Sequence, residues 1–456
     1  MRLNELKVIG ALALAAAGIV FAVEPVRVDA APISATRGIH EGVASCAGST
    51  CHGRQEATGA TVRQNELLTW QDESSPSGAH VRAYRVLLEP RSQRISQRLG
   101  MGPAQSAPVC LSCHADAPPV SQRGPRFEIS EGVGCEACHG GSSGWLASHT
   151  AEGVSHKANV AAGMIPLDEP KARAANCLDC HFGGKGNQFV THRIMAAGHP
   201  RISFELDLFT ALQNHHDEDA DYRARKTVAG GVKTWAVGQA MAVERALALF
   251  TSGRANDGAF PEFTFYDCRT CHRAFADGPA FRSSYLPNPG RALPPGLPTF
   301  NDENMLMLGA AAKIAAPALG AQFDRESRAF HAAFAVSPAA TAASARKLAV
   351  IANRLADRFD QANFARAQTL AILNDVLTGA TAARYTNYQG GAQAVMAVET
   401  LVNALAASGQ IERARAAQAR PHIDAAYAAV KDANAWRPEE LRRALGRVDA
   451  VLTPGQ

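Results

Sequence analysis

The chain has 456 residues, enough for two or three domains with cores of their own, and its apolar (46%) and charged (19%) fractions are those of a folded protein rather than a disordered one. Its 46 Lys and Arg against 42 Asp and Glu leave a formal charge of only +4, with the basic residues dispersed, which argues against a nucleic-acid surface. No G-x-G-x-x-G or P-loop sequence and no hydrolase arrangement of Ser or Cys is present, so nucleotide, nicotinamide, flavin and hydrolase chemistries lack support.

At the N-terminus, Arg2 and Lys7 flank the start of an apolar run over residues 8–23, followed by Val28-Asp29-Ala30-Ala31-Pro32. A short basic region, an apolar stretch and a small-residue exit predict a secretory signal over residues 1–30; a retained anchor is the alternative. No later segment has the apolar length to span a membrane. The mature protein is therefore expected to be exported, periplasmic or otherwise, with no membrane span after cleavage.

Residues 31–286 carry all ten cysteines. The first two stand in Cys46-Ala-Gly-Ser-Thr-Cys51-His52-Gly53, and four further pairs follow as Cys110-Leu-Ser-Cys113-His114, Cys135-Glu-Ala-Cys138-His139, Cys177-Leu-Asp-Cys180-His181 and Cys268-Arg-Thr-Cys271-His272. Cys-x-x-Cys-His is the attachment pattern of covalent haem (heme c). Each thiol adds to one vinyl group of the porphyrin, two intervening residues bring both sulfurs to one ring edge, and the adjacent His supplies the proximal iron ligand. Zinc sites and redox dithiols also use Cys-x-x-Cys, but they do not require a His after every copy. In the first pair, small residues and Gly48 let a longer loop bulge and still present both sulfurs; a local disulfide is the alternative. The haem reading leaves no cysteine over and gives five covalently attached haems, with His52, His114, His139, His181 and His272 as proximal ligands.

The occupant of the second axial position decides between relay and reaction: a second His makes a low-potential electron carrier, whereas an open position binds a small molecule. Of the ten remaining histidines, only His331 and His422 lie beyond the cysteine-bearing segment, which favours bis-histidine ligation. His80 precedes a helical-looking stretch, His149 follows the third haem motif within reach of a neighbouring ring, and His199 sits in a Gly-His-Pro bend. These three are the leading distal candidates. His40, His156 and His192 are further candidates, while His215-His216, next to the acidic run 217–221, reads as a solvated loop.

A helix is predicted near residues 235–250, ahead of the last motif. Seven prolines and glycines between 287 and 298 mark a linker over 287–300. Beyond it, residues 301–456 turn Ala-rich with helical spacing, as in Leu348, Ile351, Leu355 and Phe359, or Val395, Val398, Leu401, Val402 and Leu405. Ser408-Gly409 reads as a helix stop and Pro438 as a start. The expected fold is mainly α: a multihaem segment with little regular β structure, then a bundle of about four helices that acts as a cap or an oligomerisation surface.

The haem-bearing segment resembles the multihaem cytochromes related to cytochrome c-554 and hydroxylamine oxidoreductase. The likeness rests on the closely spaced motifs, on Gly134-Cys-Glu-Ala-Cys-His139-Gly140, on the Trp70–His80 stretch and on Ala197-Gly-His-Pro-Arg-Ile-Ser-Phe-Glu205, and covers roughly residues 40–275. It implies closely paired haems, mostly bis-histidine, that pass electrons between periplasmic redox proteins serving as donor and acceptor. It also implies that His80, His149 and His199 are distal ligands. Five haems match neither the four of cytochrome c-554 nor the eight of the oxidoreductases, and no Cys-x-x-Cys-Lys element is present. Electron transfer is the first reading, with no catalytic residue. A multihaem oxidoreductase acting on a small nitrogen or sulfur compound at one open haem is the second.

Overall fold

Proline and glycine set the texture of the first half, where three helices begin on a proline at Pro90, Pro108 and Pro170, the position at which a missing N–H costs nothing. The computed structural model describes residues 38–56, 64–184, 186–216, 218–253, 262–272, 293 and 297–452. The expected signal segment and most of the expected linker at 287–300 lie outside these residues. The helices of the cysteine-bearing half are short: α1 (Glu66–Gln71), α2 (Ala79–Arg85), α3 (Pro90–Leu99), α4 (Pro108–His114), α5 (Cys135–His139), α6 (His156–Ala161), α7 (Pro170–Leu178), α8 (His192–Ala196), α9 (Leu206–Leu212) and α10 (Ala220–Arg225). The long helix α11 (Gly231–Thr251) and the single turn α12 (Cys268–Cys271) complete it.

Among the described residues there is no strand, only two isolated bridges, His40 to Arg123 and Tyr266 to Phe300, so the fold is mainly α as expected. No described helix is long and apolar enough to cross a membrane.

Seven helices follow, rather than about four: α13 (Glu303–Ala315), α14 (Pro317–Ala333), α15 (Pro338–Asp360), α16 (Arg366–Thr381), α17 (Tyr388–Ala407), α18 (Arg413–Ala429) and α19 (Pro438–Leu452). Prolines at positions 317 and 338 restart the helix after turns too short to show as composition breaks, and Ser337 Oγ caps α15 by accepting from Ala340 N (3.1 Å). The apolar faces read from the sequence are the ones buried: Leu348, Ile351, Leu355, Phe359, Val395, Val398, Leu401, Val402 and Leu405 are all in the core. α17 stops at Ala407, before Gly409 at φ 66°.

α11 belongs to this core by packing, although it precedes the last cysteine pair in sequence. Trp235, Val237, Ala240, Val243 and Leu247 are buried around its whole circumference, as in a helix enclosed on every side. It packs against α7 and α9 towards the motifs and against α13, α15 and α17 towards the bundle. Gly238 permits the approach of α9, since a Cβ there would stand 2.6 Å from Leu206 Cβ.

A buried polar ladder runs the same way. Asn304 Nδ2 donates to Gln239 Oε1 (2.8 Å), Gln239 Nε2 to Gln393 Oε1 (3.2 Å), and Gln393 Nε2 to the carbonyl of Phe204 (2.7 Å). Ser203 Oγ donates to Gln389 Oε1 (2.9 Å), and Thr400 Oγ1 to Glu205 Oε2 (3.0 Å). Breaking one rung strands a buried partner, at a cost of about 1–3 kcal/mol. The segment 203–205 is thereby strapped to α17.

Glu205 is 1% exposed and caps α9 by accepting from Asp207 N and Leu208 N, both at 2.8 Å. Burial, then the neighbouring Asp207 carboxylate, pushes it up to about 8 despite these donors. The native chain therefore holds a proton that the unfolded chain releases near pH 4.5, so this contribution to stability is complete below that pH and is lost as pH rises towards 8. The thermal midpoint of the haem-loaded protein should fall over this window, and Glu205→Gln should flatten the fall; a profile unchanged by the substitution, measured by calorimetry, would refute the assignment.

Candidate haem-binding site

Each four-residue Cys-x-x-Cys element is wound into a helical turn, which is how two residues of spacing bring both sulfurs to one side. Cys110, Cys113 and His114 end α4, Cys135, Cys138 and His139 make up α5, and Cys268 and Cys271 bound α12 with His272 next to it. Cys177 lies at the end of α7, and Cys180 and His181 fall in a π-helical turn, Asp179–Gly183, that continues it. The first pair is closed by its backbone instead: Cys51 N donates to Gly48 O (2.8 Å), Gly53 N to Gly48 O (3.1 Å) and His52 N to Cys46 O (3.2 Å). None of the ten cysteines is joined to another in a disulfide. Burial pushes Cys138 up to about 11 and Cys177 to about 12, whereas hydrogen bonds from Cys135 and Cys180 lower Cys46 and Cys113.

The elements touch one another. Cys46 and Cys135 lie within hydrogen-bonding reach, as do Cys113 and Cys180. Gln188 Nε2 donates both to Ser112 O (3.1 Å) and to Cys180 Sγ (3.4 Å), joining the second and fourth elements. Glu136, between the cysteines of the third, accepts from the backbone N–H of Glu41 (2.9 Å), Gly42 (2.7 Å) and Ser142 (2.8 Å), and so fixes the chain just ahead of Cys46.

The histidines face each other in pairs. Ring centroids stand 6.2 Å apart for His52 and His149, 6.2 Å for His181 and His80, 6.3 Å for His114 and His199, and 6.1 Å for His272 and His192. His139 faces both His215 and His216 at 6.4 Å. Two imidazoles that each place a nitrogen about 2 Å from one metal ion have ring centres roughly 6 Å apart. Each histidine that follows a cysteine pair thus has a partner at the span of a single ion.

Several of these rings are also oriented. His114 Nδ1 donates to Ala83 O (2.8 Å), His149 Nδ1 to Leu146 O (2.5 Å) and His199 Nδ1 to Pro200 O (2.8 Å). His52 Nδ1 and His216 Nδ1 donate to the two oxygens of Glu66, at 3.1 and 3.2 Å. A ring anchored through Nδ1 presents Nε2, the usual arrangement of an outer partner that sets tautomer and direction. Burial lowers the pKa of His80, His114 and His199, of His181 and His215 to about 4, and of His139 to about 3, which keeps these rings neutral and able to donate a lone pair. For His52 the hydrogen bond to Glu66 acts the other way and raises it.

The other candidates lie elsewhere. His40 is buried with its Nδ1 on Asp116 Oδ2 (2.7 Å), and His156 is exposed beside Asp168 (3.2 Å); neither ring stands opposite a histidine of the five elements. The sequence reading of His215-His216 as a solvated loop is not what the fold makes of it, because Asn214 and α9 turn the pair back onto His139. The acidic run beside the pair obscured this. Glu66 carried no sequence signal beyond its place four residues before Trp70.

The residues fit haem in their donor sets as well as in their spans. Trp145 Nε1 is a buried donor without a protein acceptor, in a ring 5.5 Å from that of His149, where a porphyrin carboxylate is a suitable partner. Residues 45–140, which include the first three elements, match the family model for cytochrome c554 and c-prime. The chain is a c-type cytochrome related to cytochrome c554. It carries covalently bound haem c at more than one site and takes part in electron transfer with redox partners. No curated protein and no solved structure matches it.

The bulged first element gives a direct test of attachment in this cytochrome. A Cβ at Gly53 would stand 2.4 Å from Ala47 O, so Gly53→Val cannot close the loop. The variant should carry one haem fewer per chain than the unaltered protein by intact mass; full loading would show that this element does not bind haem.

Proposed function

We propose that the protein is an exported pentahaem electron-transfer cytochrome in which every iron has two histidine ligands. The observation that carries this reading is the set of five histidines after the cysteine pairs, each with a facing imidazole at 6.1–6.4 Å. The proximal ligands are His52, His114, His139, His181 and His272. Their partners are His149, His199, one of His215 and His216, His80 and His192 respectively. His40 and His156 are not ligands in this assignment.

When bound, haem c supplies a one-electron iron couple; the chain's own residues hold it, fill both axial positions and order the sites. Thiol contacts support neighbouring first and third elements, through Cys46 and Cys135, and neighbouring fourth and second elements, through Cys180 and Cys113; the third and fourth are linked by Cys138, which bonds to Asn176 beside Cys177. The last element is the open end. Cys268, Cys271 and His272 are exposed, and the exposed Phe263 lies beside His192 at 5.5 Å, an arrangement suited to exchange with a partner. Export rests on the signal-like segment at 1–30. The bundle acts as a cap that holds segment 203–205, beneath the His181 ring, in place.

No element of the five lacks a facing histidine, which disfavours substrate chemistry at an open iron. Electron paramagnetic resonance on the oxidised protein, with a pyridine haemochrome count, tests the reading: five haems, all low-spin, are expected. His149→Ala should convert one of them to high-spin, whereas His40→Ala should leave all five low-spin. A high-spin signal in the unaltered protein that shifts on adding nitrite or hydroxylamine would overturn the proposal in favour of an oxidoreductase.

A further inference from the structure

One carboxylate stands between two of the ligand sets. Glu66 opens α1 and is 9% exposed. Its Oε2 accepts from His52 Nδ1 (3.1 Å), and its Oε1 from His216 Nδ1 (3.2 Å). His52 follows the first cysteine pair, while His216 faces His139 of the third.

The position of Glu66 is fixed from both ends of its helix. Leu67 N donates to the carbonyl of His52 itself (3.0 Å), so carboxylate and imidazole share one short stretch of backbone. At the other end, Trp70 Nε1 donates to Val133 O (3.2 Å), two residues before Cys135. Trp70, Val43 and Val81 form a buried cluster with Leu67 and Cys135 packed against it. A helix of six residues thus spans the first and third elements, and its one buried acid reaches a histidine of each.

His215 and His216 stand equally far from His139, and ring separation alone does not choose between them. Their outer partners do. His216 Nδ1 is held by a charged acceptor that fixes its tautomer, whereas His215 Nδ1 has only Gln213 beside it, whose side-chain Nε2 (3.2 Å), a donor, and carbonyl (3.3 Å), an acceptor, do not fix one. The two rings lie 4.3 Å apart at 37°, so His215 backs His216 as a stacking partner.

We propose that Glu66 is a positioning residue that selects His216 as the sixth ligand of the third haem and ties that ligand to His52, so that the axial fields of the first and third haems are set by a single carboxylate. This rests on the bis-histidine reading above. An acceptor on Nδ1–H raises the basicity of the ligating nitrogen and favours the ferric state, and here one acceptor acts on two irons.

The test uses the haem-loaded full chain and redox titration followed by electron paramagnetic resonance of the individual low-spin signals. Glu66→Ala should shift the g-values of two haems and raise both their potentials, leaving the other three unmoved. Glu66→Gln, close in shape and able to accept at only one oxygen, should keep all haems and restore one of the two signals towards its original position. His216→Ala should produce one high-spin haem, and His215→Ala none. A shift confined to one haem, no shift in either Glu66 variant, or a high-spin haem from His215→Ala but not from His216→Ala would each overturn the inference. A high-spin haem already present in the unaltered protein would instead count against the underlying bis-histidine reading.

Discussion

In the bis-histidine assignment proposed above, two imidazoles converge on one ion from opposite sides, and that requirement governs this half of the molecule. Each pair needs neutral rings, a free Nε2 and backbone segments held at a fixed separation, and the ring centroids here meet that separation within a few tenths of an ångström. Partners come from far apart in sequence: His52 meets His149, and His80 meets His181. Short helices joined by Gly and Pro turns can deliver such meetings where a regular helical core could not. The side-chain cores in this half are small, one of Val43, Trp70 and Val81 and another built on Ala174, Leu178, Phe204, Leu206 and Ala242. Clusters of that size cannot offset the ordering of so much irregular chain, and bound porphyrin is the apolar mass that can.

The bundle contributes rigidity at one of these meetings. Phe204 stacks on the ring of His181 at 4.6 Å, and its carbonyl is the terminus of the amide ladder through Gln393, Gln239 and Asn304. Thr400 and Gln389 hold the residues on either side of it. An imidazole backed by a phenyl that is itself tied to three helices has little freedom to tilt. The apolar faces of α11 and α17 therefore serve the electron-transfer site indirectly, by fixing what lies behind one of its imidazoles.

Local chemistry was legible in the sequence because the spacing of two thiols and a histidine is a property of one turn of chain. The cysteine pairs, their histidines, the helical faces of α15 and α17 and the stop at Gly409 are all local patterns of this kind. Pairing was not, because which imidazole crosses to which depends on contacts over a hundred residues. His215-His216 was misread for that reason: its neighbours are acidic, and only the return of the chain after α9 brings it to His139. The place of α11 was hidden too, since nothing in a helix sequence says whether it packs before or after the linker that follows it. Glu66 is the clearest case, an ordinary acid at a helix start whose role arises only from what lies on either side.

Burial and charge oppose one another along the sites. Around the third element the rings are withdrawn from water, as the lowering of His139 to about 3 by burial and by the nearby His216 and His215 shows. Withdrawal from water disfavours added positive charge on a ligated iron and so favours the reduced state. Carboxylates gather there in compensation: Glu66 on its ligand pair and Glu136 within the motif itself, with Asp116 two residues past His114. The last element has the reverse arrangement, exposed to solvent and close to Asp267, which caps α12 by accepting from Arg269 N (3.3 Å). Solvent reaches that end, and one buried acid stands there as well, Glu262, which accepts from His192 N (2.7 Å). The chain thus holds charge in two ways, chiefly by fixed carboxylates around the third element and chiefly by water around the last.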